Sequence, residues 1–515
     1  MGAVYLFHDL FGYLMEMSAD IAHLIEAFAD GAETARVIER FTGRFEGADP
    51  AQFVDVLVAH SVLNEPDDDE LDQVWPFAAI KGKWNVWQRR GERLVLWTAW
   101  GDRPVTEVML DAEQTAMWDA FDGDKRLNEL RLKFPADKLA ALVRRLTHSD
   151  VQALKLSMMP ASTYAKRPGL APAYLASTMP YRPWRPGTPV PAPIALDDYY
   201  RHEVGDADAQ FDHLETTLSH LLRVPHPALH GRTYGEALVD ALVARNAIRE
   251  GSVRVLEIGG GLGYVARDAI ARLRAVGRTV SYTILELAPA LAEAQQARVG
   301  DAATWLIGDA LTASVEGSFD LVIANEMVGD LTASHFERGE TATAIAAEYG
   351  LAIDDAPESF YLQTGAWDLT KRIAGWLAPG GTAIVTEFGD SAQWPRLSTQ
   401  LDHPELSTHF GHLQQIARGK GLEANVEFVI DLLDVDRAQR GLATTRSQWR
   451  ALRALASDAG VDLPKIGYTP ELFDAALAGK LDLATVGDLR WDKIEDRLMG
   501  LVPHEFKALI IRRPG

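Results

Sequence analysis

Acids and glycines recur where apolar runs end in the second half of this 515-residue chain. The clearest case begins at Val253, where an apolar run leads through Glu257 into Gly259, Gly261 and Gly263 and then into a helical pattern. Glycines at alternate positions permit a tight turn and let a ligand approach the backbone closely. Such a strand, turn and helix predict a cofactor site, and taken alone the pattern fits a dinucleotide as well.

Three more acids follow later apolar runs. Glu286 ends SYTILE, Asp309 follows WLI, and Glu326 follows FDLVIAN. Because ligands of open α/β sheets bind at the carboxyl ends of the strands, we expect these acids to share one site. Carboxylates suit a cationic cofactor such as a sulfonium, whereas a pyrophosphate prefers helix amides and cations.

This order of strand-end glycines and acids resembles that of class I S-adenosylmethionine (SAM) methyltransferases. The resemblance implies an α/β, Rossmann-like domain with a mainly parallel sheet, in which the turn from Gly259 to Gly263 cradles the methionine part of SAM. It also implies that Glu257 lies near the amino group, that Glu286 binds the ribose hydroxyls, and that Asp309 binds the adenine. Leu287, Ala310 and Asn325 complete the cofactor set that the resemblance implies.

The pair Asn325-Glu326 resembles the Asn-Glu-x-x-Asp signature of MidA-like methyltransferases, which include complex I assembly enzymes acting on a protein arginine. Further similarities are Gly235-Glu236, Glu387-Phe388-Gly389 and the ending Phe506–Leu509. The chain departs from the signature at one place, because the position of the family's Asp is Gly329 and the nearest acid is Asp330. That shift puts the substrate of this chain in question.

The candidate catalytic residues are Glu326, Asp330 and His409. A carboxylate at Glu326 could orient an amine or guanidinium and accept its proton, or it could hydrogen-bond the loop backbone instead. Asp330 would support it if the loop shifts by one residue. His409 follows the predicted fifth strand and could act as a base or be structural; we expect no metal site, since His409 and His412 have no evident third ligand.

We expect the methyltransferase domain to span residues 201–515, with a lid insert at 331–361 and a helical cap at 440–490. A Pro-rich linker is predicted at 157–200, within which residues 157–196 contain no Asp or Glu. Prolines at that density exclude a regular helix or a central strand.

Two N-terminal segments, 1–75 and 76–156, contain similar patterns of an Asp-Gly turn between amphipathic helices, which suggests a duplicated module. The second contains a predicted β-hairpin at Trp84–Trp100. This order of helices and turn resembles that of PqqD-like winged-helix domains, which capture leader peptides. Such domains bind a peptide as a strand added to a sheet edge. The alternative is two helical modules that only pack against the rest of the chain.

Composition narrows the classes of partner and of site that this chain could have. A net charge of −22 argues against nucleic-acid and anionic-membrane partners. The absence of cysteine excludes disulfides, thiolate metal sites and a cysteine nucleophile. We expect a cytoplasmic enzyme, and a homodimer is compatible with the sequence.

The favoured function is SAM-dependent methylation of a peptide or protein, specifically a ribosomally synthesised precursor peptide held by the N-terminal modules. The alternatives are a small-molecule methyltransferase and a MidA-like protein-arginine methyltransferase or assembly factor.

Overall fold

The computed structural model describes most of the chain. The described residues are 4–7, 14–29, 31–45, 48–59, 62–63, 75–100, 103–148, 150–157, 160–162, 196–202, 204, 211, 217–400, 403–494 and 506–515. They form two compact units. The first comprises Met1–Val190, Thr444–Asp462 and Leu477–Leu489, and the second comprises Pro191–Ala443, Leu463–Ala476 and Arg490–Gly515. Most of the predicted Pro-rich linker lies outside the described residues.

The first unit contains a β-hairpin followed by three helices, twice over. The first set is Val4–Phe7, Leu14–Met17, Ala19–Glu26, Thr34–Phe41 and Pro50–Ala59. The second set is Arg93–Thr98, Thr106–Leu110, Ala112–Ala120, Leu127–Leu130 and Ala136–Thr147. The strand Asn85–Arg90 pairs with Arg93–Thr98 across a turn at Gly91, whose φ is +65°. The predicted hairpin at Trp84–Trp100 is therefore present.

Other parts of the chain complete the first unit. The strands Ala78–Lys81 and Leu154–Ser157 pair with each other, and Val486–Gly487 adds to the edge of Asn85–Arg90. The helix Arg446–Asp458 packs against the strands Asn85–Arg90 and Arg93–Thr98. The cap expected at 440–490 is thus wrong for this helix, because an amphipathic pattern shows which face is buried but not which partner buries it.

The second unit is built on one large sheet. Its main strands are β1 (Ser252–Ile258), β2 (Thr279–Glu286), β3 (Thr304–Ile307), β4 (Phe319–Asn325), β5 (Leu377–Asp390), β6 (Glu423–Phe428) and β7 (Phe506–Arg512). Their order is 3-2-1-4-5-7-6, with β1 to β5 parallel and β7 antiparallel to both of its neighbours. Thr408–His409 also pairs with the end of β5. The expected Rossmann-like α/β domain is confirmed.

Helices cover both faces of this sheet, among them Tyr234–Ala244 and Tyr264–Ala275 on one face and Thr364–Trp376 and Phe410–Gly419 on the other. The other helices in this part of the chain are Pro289–Val299, Glu340–Glu348, Pro470–Leu477, Asp197–His202, Leu218–Leu221 and Val429–Leu432. Along β4, Leu321 and Ile323 belong to the core on one face, and Val322 and Ala324 belong to the core on the other. A parallel strand buried on both faces reads as a continuous apolar run, which is how β4 reads in the sequence.

Short strand pairs and 3₁₀ turns connect these elements. The pairs are Ser334–Glu337 with Ser359–Leu362, Leu397–Gln400 with His403–Leu406, and Arg440–Leu442 with Trp491–Lys493. The 3₁₀ turns are Pro227–Leu229, Gly300–Ala302, Val328–Asp330 and, in the first unit, Leu483–Thr485. Within the part of the chain that the structure describes, no helix has the length and apolar character needed to cross a bilayer.

Candidate active site

The glycine-rich turn joins β1 to the helix Tyr264–Ala275. Gly259, Gly261 and Gly263 have φ values of +64°, +50° and +81°. A Cβ on Gly259 would lie 3.2 Å from Cβ of Met327, and one on Gly263 would lie 3.0 Å from Cα of Gln295. A Cβ on Gly261 would meet nothing within 4 Å. The outer two glycines are therefore required for packing, while Gly261 borders open space.

Glu257 lies one residue before the end of β1 and is 1% exposed. The Tyr282 hydroxyl donates a 2.9 Å hydrogen bond to its Oε2. Burial raises the pKa of Glu257 to about 7. A cationic group placed beside it would favour its ionised form.

Glu286 ends β2 and is held by its neighbours. Its Oε1 accepts from the backbone N–H groups of Leu287 (2.8 Å) and Ala288 (3.0 Å). Its Oε2 accepts from the side-chain amide of Gln295 at 2.7 Å. Burial still raises the pKa of Glu286, although these hydrogen bonds oppose the rise. The carboxylate is thus fixed in position at the cavity wall.

Asp309 begins the loop after β3. Its side chain accepts from the backbone N–H of Leu311 at 2.8 Å and from the Thr312 hydroxyl at 3.2 Å. These contacts turn the loop so that Asp309 and Ala310 border the same cavity as Glu286.

Asn325 ends β4 with its amide orientation fixed. Its Oδ1 accepts from the hydroxyls of Tyr234 (2.7 Å) and Thr386 (2.8 Å). An ionised Glu326 can only accept, so the atom that faces its Oε1 at 3.2 Å is the amide nitrogen of Asn325, and the two hydroxyls donate to the amide oxygen.

Glu326 has a φ of +50°, an unusual conformation for a residue with a side chain. Its Oε2 accepts from the backbone N–H of Leu218 at 2.8 Å, and its Oε1 accepts from that of Ser219 at 3.0 Å. Glu326 therefore bonds backbone N–H groups at the start of the helix Leu218–Leu221, not the loop backbone that the sequence analysis offered as the alternative, and it also borders the cavity.

Asp330, Glu387 and Glu405 border the same cavity as Glu326. The 3₁₀ turn Val328–Asp330 brings Asp330 there, and its Oδ2 accepts from the Tyr200 hydroxyl at 2.7 Å. At Gly329, the family position of the acid, a Cβ would lie 2.8 Å from Oε1 of Glu405, so the turn leaves no room for a side chain.

Glu387 is the most deeply buried acid of this group, at 1% exposure. The backbone N–H of Gly329 donates to its Oε2 at 3.1 Å. Burial, followed by the charges of Glu326 and Asp330, raises its pKa well above the usual range. The protonated form of Glu387 is therefore favoured relative to that of an exposed carboxyl.

The cavity encloses about 270 Å³. Its lining includes the acids Glu257, Glu286, Asp309, Glu326, Asp330, Glu387 and Glu405 and no Lys or Arg among the residues described. Of the predicted cofactor set, Glu257, Gly259, Gly261, Glu286, Leu287, Asp309, Ala310 and Asn325 line it. Gly263 does not line it but packs against Gln295.

His409 does not line the cavity. Its Nδ1 accepts from the backbone N–H of His412, at the start of the helix Phe410–Gly419, and the two imidazole rings stack at 3.6 Å. Burial lowers the pKa of both histidines, that of His412 to about 3. The structure therefore places His409 in a structural role and not at the site. In the described residues, no cluster of three or more His, Cys, Asp or Glu could hold a metal ion.

Few residues of the insert at 331–361 border the cavity, whereas a lid would cover it. Leu331 and Thr332 line the cavity, whereas Ala342, Ala346 and Phe360 are part of the core beneath the sheet. The segment that precedes the methyltransferase strands lines the cavity instead, with Leu196, Tyr200, Phe211, Thr217, Ser219 and His220. Sequence reasoning missed these residues, Glu405 and Gln295, because no pattern connects them to the strand ends.

The residues present fit SAM. Gly261 leaves space beside the backbone, and the acid-rich lining suits a sulfonium and an ammonium group. Residues 235–399 match the model of a family described as "Putative S-adenosyl-L-methionine-dependent methyltransferase". This is a SAM-dependent methyltransferase.

Solved structures similar to this methyltransferase have low identity. A protein from Burkholderia thailandensis bound to S-adenosyl-homocysteine (SAH) is 16% identical, with 64% of this chain and 95% of that chain covered and a TM-score of 0.31. The 1,6-didemethyltoxoflavin-N1-methyltransferase of the same organism is 14% identical, with 55% and 79% covered and a TM-score of 0.27. CalS10, an amino pentose methyltransferase from Micromonospora echinaspora, is 15% identical, with 38% and 87% covered and a TM-score of 0.26.

No curated protein matches the sequence.

Proposed function

We propose that this methyltransferase acts on a basic nitrogen of a peptide or protein. The observation that carries the proposal is the lining of the cavity, which combines seven carboxylates with no Lys or Arg among the described residues. A cationic acceptor would be attracted there, and an anionic one would be repelled.

Two groups of residues would divide the work. Glu257, Gly261, Glu286 and Asp309, at the ends of β1 to β3, would hold SAM, which supplies an electrophilic methyl group when bound. Glu326, Asp330, Glu387 and Glu405 would hold the acceptor. Orientation of the two partners is a large part of what an enzyme contributes to such a displacement.

Glu326 is the proposed proton acceptor. The N–H groups of Leu218 and Ser219 hold its two oxygens, so the carboxylate meets the acceptor in one orientation. An amine or guanidinium nitrogen must lose a proton to be methylated, and Glu326 would take that proton. Asp330, fixed by Tyr200, would orient the same basic group.

The raised pKa of Glu387 supports the proposal of a cationic substrate. Three acids interact there, because burial and then the charges of Glu326 and Asp330 raise the pKa of Glu387. A cationic substrate would offset the mutual repulsion of these carboxylates, whereas a neutral small molecule would not.

We propose that the first unit binds a segment of the substrate. Its sheet has two edges, and the chain's own Val486–Gly487 occupies one, on Asn85–Arg90. Among the described residues, no strand pairs with the outer side of Thr106–Leu110. An extended peptide could add to that edge, and docking there would raise its effective concentration at the active site. A precursor peptide with a leader segment is the substrate that this arrangement suits best.

Transfer of label from SAM to an array of peptides tests the acceptor. We expect label on peptides with Arg, Lys or His, and none on matched peptides in which citrulline or norleucine replaces the basic residue. Label on the neutral peptides would contradict the proposal. Absence of label on every peptide, with turnover of small amines, would favour the small-molecule alternative; SAH binding without turnover on any substrate would favour an assembly factor.

Amide hydrogen exchange of the whole protein tests the docking edge. A labelled peptide from the array should protect Thr106–Leu110 and leave Asn85–Arg90 unchanged, because the latter edge is already paired. The docking proposal is wrong if Thr106–Leu110 shows no protection.

A further inference from the structure

Gln295 lies on the helix Pro289–Val299, and its side chain is fully buried beside the cofactor half of the cavity. Its Nε2 donates to the backbone oxygen of Gly261 at 2.9 Å and to Oε2 of Glu286 at 2.7 Å. Its Oε1 accepts from the indole N–H of Trp305 at 3.1 Å. One side chain thus connects the glycine-rich turn, the end of β2 and the edge strand β3.

The amide of Gln295 has one allowed orientation. The indole of Trp305 can only donate, so the atom facing it is the amide oxygen. The carbonyl of Gly261 and an ionised Glu286 can only accept, so the atom facing them is the amide nitrogen. All three neighbours require the same orientation, and both N–H groups of the amide are used.

Packing around Gln295 is equally restrictive. A Cβ on Gly260 would lie 3.1 Å from Nε2 of Gln295, and one on Gly263 would lie 3.0 Å from its Cα. The turn and the helix therefore fit closely at this one side chain, and the position of each depends on the other.

We infer that Gln295 is a positioning residue for the cofactor. It holds the Glu286 carboxylate and the Gly261 carbonyl in the arrangement that accepts the ribose and the methionine part of SAM. The inference concerns cofactor binding alone, so it is independent of which acceptor the enzyme methylates.

Calorimetric titration of the full chain with SAH tests the inference. Gln295→Glu keeps the size of the side chain but replaces its donors by acceptors, and should weaken SAH binding about thirtyfold or more. Gln295→Leu should weaken it about tenfold, through the loss of the charged hydrogen bond. The matched controls are Gln296→Glu and Gln296→Leu, since Gln296 is the next residue of the same helix and is exposed; they should change the affinity less than about twofold.

A ligand lacking one hydroxyl separates positioning from a general structural effect. The 2′-deoxy analogue of SAH should bind the wild type about tenfold more weakly than SAH, and the Gln295→Glu variant only about twofold more weakly, because Glu286 is then displaced. An undiminished tenfold difference in the variant would overturn the route through Glu286.

The inference is overturned if Gln295→Glu has a wild-type melting temperature and binds SAH within about threefold of wild type. If Gln295→Glu does not fold, Gln295→Leu and Trp305→Phe decide. Trp305→Phe removes the donor that fixes the amide and should weaken SAH binding about threefold. Wild-type affinity in both would overturn the inference.

Discussion

The two halves of the cavity use carboxylates differently. At the ends of β1 to β3, Glu286 and Asp309 each have separate donors, and Glu257 has the Tyr282 hydroxyl. At the ends of β4 and β5, Glu326 and Asp330 also have donors, but burial and then the charges of these two acids raise the pKa of Glu387. Hydrogen bonds thus hold carboxylates in both halves, and the second half differs in the two acidic charges that act on the buried Glu387.

The largest effect on cofactor affinity should come from removing a carboxylate of the cofactor half, at the ends of β1 to β3. Glu286→Ala removes a buried acceptor and leaves the donors of Leu287, Ala288 and Gln295 without it, so SAH should bind about a hundredfold more weakly by calorimetry. Glu293→Ala, an exposed acid on the helix Pro289–Val299, is the control and should bind normally. Normal SAH binding by Glu286→Ala would refute the cofactor assignment.

A change among the acids at the ends of β4 and β5, the proposed acceptor half, should lower turnover without weakening cofactor binding. Glu326→Ala should lower methyl transfer to a basic peptide about a hundredfold, since the proposed proton acceptor is lost. The affinity for SAH should stay within about threefold of wild type. Glu340→Ala, an exposed acid, serves as the control; full methyl transfer by Glu326→Ala would show that another group takes the proton.

The pH dependence of SAM affinity should follow the ionisation of Glu257. Its pKa lies near 7, and a cationic ligand favours its ionised form. SAM affinity should therefore rise about tenfold between pH 6 and pH 8 and level off above. The Glu257→Gln variant should show a flat profile over that range, and a flat profile in the wild type would contradict the assignment.

The smallest effect is on stability. Burial and neighbouring charges raise the pKa of Glu387 in the folded protein, so ionisation costs folding free energy as pH rises above its unfolded pKa. Glu387→Gln should therefore melt about 2 °C higher than wild type at pH 8 and equally at pH 4. A lower melting temperature for Glu387→Gln at pH 8 would mean that the ionised carboxylate stabilises the fold.

The sequence was sufficient to group the acids of the proposed cofactor half, because each lies at or just after the end of an apolar run. Parallel strands bring such positions to one edge of the sheet, so Glu257, Glu286 and Asp309 could be predicted to border one cavity without coordinates. Gln295 could not be, because its partners lie 34 residues before it, 9 residues before it and 10 residues after it, and no periodicity connects them.

The acids of the proposed acceptor half were also harder to predict, because no local sequence pattern connects them. Asp330 reaches the cavity only because a 3₁₀ turn places it there, and Glu405 comes from a strand pair far along the chain. His409 was wrongly proposed as a base, since its position after β5 does not reveal that its ring turns into the protein to stack on His412. Loop paths depend on tertiary contacts that a local pattern does not contain.

The most direct test of the division between the two halves is one titration, of SAH into the double variant Glu326→Gln/Glu387→Gln. The sulfur of SAH carries no positive charge, so SAH should not need the acids at the ends of β4 and β5. We expect a dissociation constant within about threefold of wild type. A loss of affinity of about thirtyfold or more would show that the acids at the ends of β4 and β5 help to hold the cofactor, and would contradict the division.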